Sequence, residues 1–438
     1  MTDQYFVGLR ATGDLATNER PESWREGILR LFPNGDMPLT ALTALMASEE
    51  VSDPHYHWWT KTLTTQRSAI TATYTDVALS NAYTSGGVAG TTLYVKIPAA
   101  GINMFRTGQI VMLRDASNYT VDCAAKVTDV QENGASSYVV VSLLEADDNG
   151  AAASLDLSDA DVILIIGNAN PQGGTRPEAI TQSPTEHENY TQIFRDPLEL
   201  ARTLMKTKLR TDKAYLEAKR DALELHGIGM EKAFIWGIAT SGTGVNGKPE
   251  TTTGGLLSFI KAAGTVADYT LETDAAYAGM TWLQAGDQWM DEHLEEVFRY
   301  GADEKLAFCG SGALLGLNQL AKSVGNIQLN VREKAFGIQV VEWVTPFGVI
   351  NLKRHPLFSY EATNRNSMVI FEPKQIRYKY ITDTMFKPDK TDTEGGGTGV
   401  DGKQEEYLTE AGLEFHHGEK SAYLNGAEIG RASCRERV

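Results

Sequence analysis

The stretch from Thr211 to Ile238 constrains the fold more than any other part of the chain. Leu216, Leu223, Ile228, Ile235 and Ile238 recur there at near-helical spacing, and Lys213, Glu217, Arg220, Asp221, Glu224 and Lys232 occupy much of the rest. This is the pattern of a long amphipathic helix, which at 1.5 Å per residue would span about 40 Å. The remainder of the chain can supply a core for it to pack on. Of 438 residues, 42% are apolar and 22% charged, ordinary values for a folded soluble protein, and the length suggests about three modules.

The preceding stretch, residues 66–192, reads as β throughout. Thr92–Ile97, Gln109–Arg114, Ala124–Val130, Tyr138–Leu144 and Asp161–Ile166 are short runs rich in Val, Ile and Tyr, separated by turn residues. Asn133-Gly134 marks a hairpin, because both residues tolerate positive φ. Five such strands suggest a small barrel or sandwich, with polar legs at 70–90 and 167–190 leading out to it and back. Residues 1–65 have little core pattern. A short helix at Pro38–Met46, with Leu39, Leu42 and Met46 on one face, and the aromatic run His55-Tyr-His-Trp58-Trp59 suggest an extended arm with a few anchors. Adjacent tryptophans cannot both enter one core from a regular element, so one of Trp58 and Trp59 is expected to face another chain.

Beyond the excursion, Asp196-Pro197-Leu198-Glu199 predicts a helix start, and the long helix follows. Thr240–Gly255 is a Gly/Thr-rich loop. A second amphipathic helix is predicted over Ala275–Tyr300, then a buried strand at Lys305–Cys309 and a helix at Gly312–Leu320 capped by Ser311. Strands are predicted at Gly337–Val344 and Val349–Lys353 around a Thr345-Pro-Phe-Gly348 turn, then at Met368–Phe371, Gln375–Ile381 and Tyr407–Phe415, with a polar Gly-rich loop at Asp392–Lys403.

Several function classes are excluded by charge and chemistry. A net charge of −17 repels duplex DNA, which argues against sequence reading but not against simple enclosure of DNA. No run of about 18 apolar residues exists, so no membrane span is expected. The first residues lack the basic-then-apolar pattern of a secretory signal, which places folding in the cytoplasm. Cys123, Cys309 and Cys434 show neither metal spacing nor a disulfide framework, and the first two read as small core residues.

Gly242-Thr-Gly-Val-Asn-Gly247-Lys248 and Gly397-Thr-Gly-Val-Asp-Gly402-Lys403 mimic a phosphate-binding loop. They lack the following Ser or Thr, which is Pro249 or Gln404 here, and they lack a strand-to-helix context, so both read as surface loops. His55-x-His57 and His416-His417 have no acidic or Cys partner at ligand spacing, and Gly310-Ser311-Gly312 lacks the spacing of a nucleophile elbow. Asn118-Tyr-Thr120 and Asn189-Tyr-Thr191 match a glycosylation sequon without meaning in a cytoplasmic protein. Trp58, Trp59, Trp236, Trp282 and Trp289 could form a glycan-binding platform, but most fall at core positions of helices. No catalytic, cofactor-binding or metal residue, and no cofactor, is expected, and the chain does not read as an enzyme.

Several local motifs, and above all their order, resemble the major capsid proteins of tailed bacteriophages. Pro38-Leu39…Leu42…Leu45-Met46 with Asp53-Pro54 and Trp58-Trp59 resembles the N-terminal arm of one group of them, and Glu188-Asn-Tyr-Thr-Gln-Ile-Phe194 the end of its extended loop. The helix at 211–238 with its glycine-rich turn resembles the spine helix. Thr345–Val349 before Arg354-His-Pro356 resembles the late hairpin, and Thr409-Glu-Ala-Gly-Leu-Glu414 the closing strand.

The resemblance implies an α+β, Hong-Kong-97-type capsid fold. Its parts would be an N-terminal arm at 1–65, an extended loop carrying an inserted β-barrel-like domain at 66–192, a P-domain spine region at 193–254, an A-domain at 255–336 and returning strands at 337–427. It also implies a subunit that assembles with itself, as hexamers and pentamers, into an icosahedral virion shell around DNA. Scaffolding, portal and decoration proteins are possible partners, and no membrane is involved. The different-class alternative is a glycan-binding tail or adhesin component; the nucleotide-binding reading falls with its motifs. Glu428–Val438 resembles a translated sequencing adapter and is expected to be foreign to the fold; without its +1 charge (three Arg against two Glu) the rest carries −18.

Overall fold

A computed structural model describes residues 47–61, 66–116, 121–147, 157–174, 177–207, 214–324, 328–335, 338–388 and 402–427. The arm helix expected at Pro38–Met46, the first sequon, most of the second glycine-rich motif and the segment from Glu428 lie outside these residues. The chain divides into two compact units, one formed by 1–60 with 186–438 and the other by 61–185.

The chain enters the first unit with β1 (Ser48–Glu50) and β2 (His55–Thr60), then runs through the second unit as β3 (Arg67–Ala69), β4 (Ala72–Tyr74), β5 (Thr92–Lys96), β6 (Gln109–Arg114), β7 (Asp122–Gln131), β8 (Tyr138–Leu143) and β9 (Val162–Asn168). These seven form one antiparallel sheet in the order β3-β9-β6-β7-β8-β5-β4. The edge strands β3 and β4 are joined by only Ile70 and Thr71, so the sheet curls until its two edges lie a short peptide apart. Side chains alternate along β6 and β7, which buries Val111, Leu113, Cys123, Ala125 and Val127 with Leu93, Val95, Val139, Val141 and Ile163 in a core of their own. The five expected strands are all present. The β7–β8 connection is not a two-residue hairpin. Gly134 takes φ +53° while Asn133 stays at −141°, and a short 3₁₀ turn is closed by the Ser137 hydroxyl, which donates to Gly134 O at 2.8 Å.

The chain returns with β10 (Thr185–Tyr190), which pairs with β2, and β11 (Gln192–Ala201). Here the expected helix start at Asp196-Pro197 is overturned. Ten residues of β11 pair antiparallel with β21 (Gly402–Phe415), from Gln192↔Ala411 to Ala201↔Gly402. Pro197 is tolerated because β11 is the edge of a four-stranded sheet, β1-β20-β21-β11, where β20 is Ile376–Lys387. The long helix is Ala214–Trp236, but its apolar stripe is not the expected one. Ala222, His226, Met230, Glu231, Phe234 and Ile235 are buried, whereas Leu216 and Leu223 are exposed and Ile238 lies past the helix end. The face was misjudged because two of its buried members are ionisable, and their partners come from distant strands.

After the β12 (Thr240–Thr243) and β13 (Pro249–Thr252) hairpin and a helix at Leu256–Ala263, a mixed seven-stranded sheet is built. It comprises β14 (Thr265–Asp268), β15 (Glu304–Cys309), β16 (Gln328–Ala335), β17 (Ile338–Val344), β18 (Val349–Arg354), β19 (Met368–Phe371) and β22 (Ala422–Asn425), in the order β14-β22-β19-β15-β18-β17-β16. Its centre, β15, runs parallel to β18 and antiparallel to β19 and is buried on both faces. Leu306 and Phe308 enter the core shared with the long helix, through Phe234 and Ile235. Ala307 and Cys309 enter a second core formed by the helices Trp282–Phe298 and Ser311–Val324, with Trp282 and Trp289 inside it. Double-sided burial is why this strand reads as a continuous apolar run.

The Trp282–Phe298 helix starts later than expected. Gly279 at φ +78° breaks the preceding turns, and Gln284 accepts a hydrogen bond from the Thr281 N–H at the new start. Ser311 is the first residue of its helix rather than the cap, and its N–H donates to Ser359 Oγ. At the β17–β18 turn, a Cβ on Gly348 would sit 2.5 Å from Phe298 Cε1 and 2.6 Å from Asp303 O, so only glycine fits.

Leu113 is fully buried in the second unit's core, and truncating it leaves a cavity that costs roughly 2–5 kcal/mol. Leu113→Ala is therefore expected to lower the melting transition of residues 61–185 while hydrogen exchange in the long helix and β15 stays unchanged.

Candidate functional site

The strands by which the chain leaves and re-enters the main unit form the most densely determined feature of the molecule. Alternation along β2 points Tyr56, Trp58 and Thr60 inward and His55, His57 and Trp59 outward. Tyr56 donates its hydroxyl to Leu413 O at 2.8 Å, and burial, with Glu414 nearby, pushes its phenol pKa far up. Trp58 stacks on His187 and meets Phe259 edge-on, with ring centroids 5.8 and 5.9 Å apart. His187 Nε2 lies 2.8 Å from Thr60 Oγ1.

Asn189, fully buried at the end of β10, ties three segments together. Its Nδ2 donates to Leu413 O at 2.7 Å and Gly254 O at 3.2 Å, and its Oδ1 accepts from Gly254 N at 2.7 Å and Tyr190 N at 2.8 Å. Leu413 O thus accepts from both Tyr56 and Asn189. The glycine beside it explains part of the closing-strand motif, since a Cβ on Gly412 would fall 2.6 Å from Tyr56 Oη and 2.7 Å from Tyr190 O.

The outward face of the same ribbon carries the two histidines with carboxylates. His55 Nε2 lies 3.0 Å from Glu188 Oε2, and His57 Nδ1 lies 3.0 Å from Glu186 Oε1. The ligand atoms of His55, His57 and Glu188 all fall within 4.8 Å of one another. The acidic partners that the local sequence lacks are delivered by strand pairing, Glu188 reaching His55 from 133 residues away.

Buried charge is placed with equal care elsewhere in the main unit. His226 bridges Asp196 Oδ2 and Thr409 Oγ1 at 2.7 Å each. His355 accepts from the Leu357 N–H at its Nδ1, so its Nε2 carries the proton and donates to Glu231 at 2.7 Å, both side chains being fully buried. Burial works against the Lys379 charge, but hydrogen bonds to Glu414, at 2.8 Å, and to Glu49 outweigh it and raise its pKa. Lys305 is fully buried, donates to Lys420 O at 3.0 Å, and is pushed down to about 8 by burial, against the pull of nearby Glu372.

The remaining sequence candidates resolve plainly. The first glycine-rich motif is the tip of the β12–β13 hairpin, with Gly244 N–H on Lys248 O and Gly247 N–H on Gly244 O, so its backbone donors are turned into the turn rather than toward a phosphate. Its Val245 is wholly exposed. Trp282 and Trp289 are core, and Trp236 is packed on Phe358, so these three form no platform. Trp58 is buried while Trp59 is 60% exposed, as adjacent strand residues require. Asn189 of the second sequon is sequestered by its hydrogen bonds to Tyr190, Thr253, Gly254 and Leu413. His416 pairs with Glu414. Cys123 and Cys309 are buried. Among the described residues no helix is long and apolar enough to cross a membrane.

The ribbon is locked into the body on one face and presents an exposed tryptophan on the other, and the tip of the β12–β13 hairpin carries an exposed valine. The profile of the SU10 major capsid protein family matches residues 7–428. The chain belongs to that family. It is a structural component of a bacteriophage capsid, and its fold is α+β, with the long helix, the looped excursion and the closing strands in the order that the resemblance implies. The major capsid protein of Pseudomonas phage PaMx41 is 24% identical over 430 residues, which cover 95% of this chain and 94% of that one. Among solved structures, one from Mycobacterium phage Bobi aligns over 95% of this chain and 98% of its own at 9% identity and a TM-score of 0.45. The capsid of Myoviridae phage XM1 aligns over 59% and 81% at 14% identity and a TM-score of 0.35.

Two measurements probe these anchors. Asn189→Ala strands the buried N–H and C=O of Gly254, each costing roughly 1–3 kcal/mol, so the variant is expected to unfold at clearly lower denaturant. For Lys305, the folded pKa of about 8 lies below the ordinary 10.5, so the unfolded chain binds more protons between these values and stability rises with pH there. Lys305→Met removes this term; its stability advantage over wild type is expected to shrink as pH rises from about 8 to about 10.5, read by urea unfolding at several pH values.

Proposed function

We propose that the protein assembles, as hexamers and pentamers of identical subunits, into the icosahedral shell that encloses phage DNA in the virion, and that assembly takes place in the host cytoplasm. The observation that carries this is the disposition of apolar side chains on the main unit. Trp59 on the ribbon, Val245 in the hydrogen-bonded turn at the hairpin tip and Leu225 on the long helix are each more than half exposed. Fixed exposed apolar groups on a chain of a capsid family are suited to repeated heterologous contacts between copies, where modest individual contacts add cooperatively.

In this reading residues 1–65 act as the arm, 66–192 as the extended loop carrying a barrel-like unit that faces outward, 193–254 as the spine region, and 255–336 with 337–427 as the axial and returning parts. Trp59 packs on a neighbouring subunit. The acidic chain encloses DNA through containment, without sequence-specific contacts, and performs no catalysis. Scaffolding, portal and decoration proteins are its natural further partners, as accessories to a shell.

Expression of residues 1–427 is expected to yield closed particles of uniform size by negative-stain microscopy. Val245→Asp and Trp59→Ser are expected to abolish or enlarge them while leaving the circular dichroism spectrum of the subunit intact. Discrete trimers or rings from the unaltered chain would instead support a tail or adhesin component.

A further inference from the structure

We propose that the outward face of the β2–β10 ribbon is a site for a zinc-class divalent transition metal, held by His55, His57 and Glu188, which fastens the strand leaving the main unit to the strand returning to it.

The geometry carries the proposal. His55 and His57 are two residues apart on one strand and therefore share a face, and Glu188 projects from the paired strand onto the same face. Their ligand atoms lie within 4.8 Å of one another, and the imidazole rings are 4.2 Å apart between centroids. Two ligands of a tetrahedral metal at about 2.1 Å stand about 3.4 Å apart, so the 3.0 Å contact between His55 Nε2 and Glu188 Oε2 has only to open by a few tenths of an ångström. Two imidazoles and one carboxylate are a known ligand set for zinc that leaves one position open. Glu186, 3.0 Å from His57 Nδ1, adds a second carboxylate beside the cluster.

The donor chemistry selects the metal. Imidazole nitrogen favours zinc, copper or nickel, whereas calcium and magnesium require shells of oxygen. The scaffold is rigid as well. The opposite face of the ribbon is pinned by Tyr56, Trp58 and Asn189, so the ligands stand on strands fixed from behind rather than on a loop. His55 also stacks on Tyr190, 4.5 Å between centroids, which limits its rotation.

The consequence is topological. The ligands are 133 residues apart in sequence, and everything between β2 and β10 is the excursion. A metal bridging them closes the base of that long loop, the situation in which a cross-link removes the most chain entropy.

The test is titration of zinc chloride into chelator-stripped assembled particles, with cobalt(II) absorption as a second readout. Wild type is expected to bind one zinc per subunit, with Glu188→Gln and His55→Gln each weakening it at least tenfold and His416→Gln leaving it unchanged. Magnesium at millimolar concentration is expected not to compete. If Glu188→Gln particles fail to form, His55→Gln and the cobalt spectrum of wild type still decide. No saturable zinc binding, binding unaffected by either ribbon variant, or displacement by magnesium would overturn the assignment.

Discussion

The carbonyl of Leu413 is the point on which the main unit depends. It receives the Tyr56 hydroxyl from the entering strand and the Asn189 amide from the returning strand, and Asn189 in turn holds both polar groups of Gly254. Four segments remote in sequence are thereby fixed by groups buried away from water, where a missing partner is expensive. The long excursion can leave and return without disturbing the body because its two ends are held at this knot. Gly412 is the matching concession, since any side chain there would occupy the space of the Tyr56 hydroxyl.

A second level of organisation is the central strand β15. Its two faces feed two different cores, one with the long helix and one with the tryptophan-bearing helix, so the sheet is the shared wall of the main unit. Buried ionisable groups sit where those layers meet. The His355–Glu231 pair ties the long helix to the end of β18, and Lys305 at the start of β15 reaches the Lys420 carbonyl just before β22. Such groups add little net stability but penalise any packing that leaves one of them alone, which favours a single register. A subunit that must repeat one geometry many times in a shell benefits from that selectivity.

The extent to which this was legible varied with the range of the interaction. Five of the seven strands of the second unit were readable because each is a short run rich in Val, Ile and Tyr bounded by turn residues. The β11 strand was not, because Asp196-Pro197-Leu-Glu199 is a locally sound helix start that ten residues of pairing with β21 override. The buried face of the long helix was misread for a related reason: His226 and Glu231 look like surface residues until Thr409 and His355 arrive. The acidic partners of His55 and His57 were invisible for the same cause, being supplied across a strand pair rather than by local spacing.

What the sequence determined by itself was the class of object: an acidic α+β chain with no surviving catalytic motif, a long charged helix, a β excursion, and motifs in capsid order. Local periodicity and turn chemistry encode those features within a few residues of each position. What only the tertiary structure decided was which faces turn inward and which polar groups meet: the ribbon with Trp58 inside and Trp59 outside, the knot at Leu413, and the His–Glu cluster on the outer face. Those depend on pairings across more than a hundred residues, and no local pattern in the chain records them.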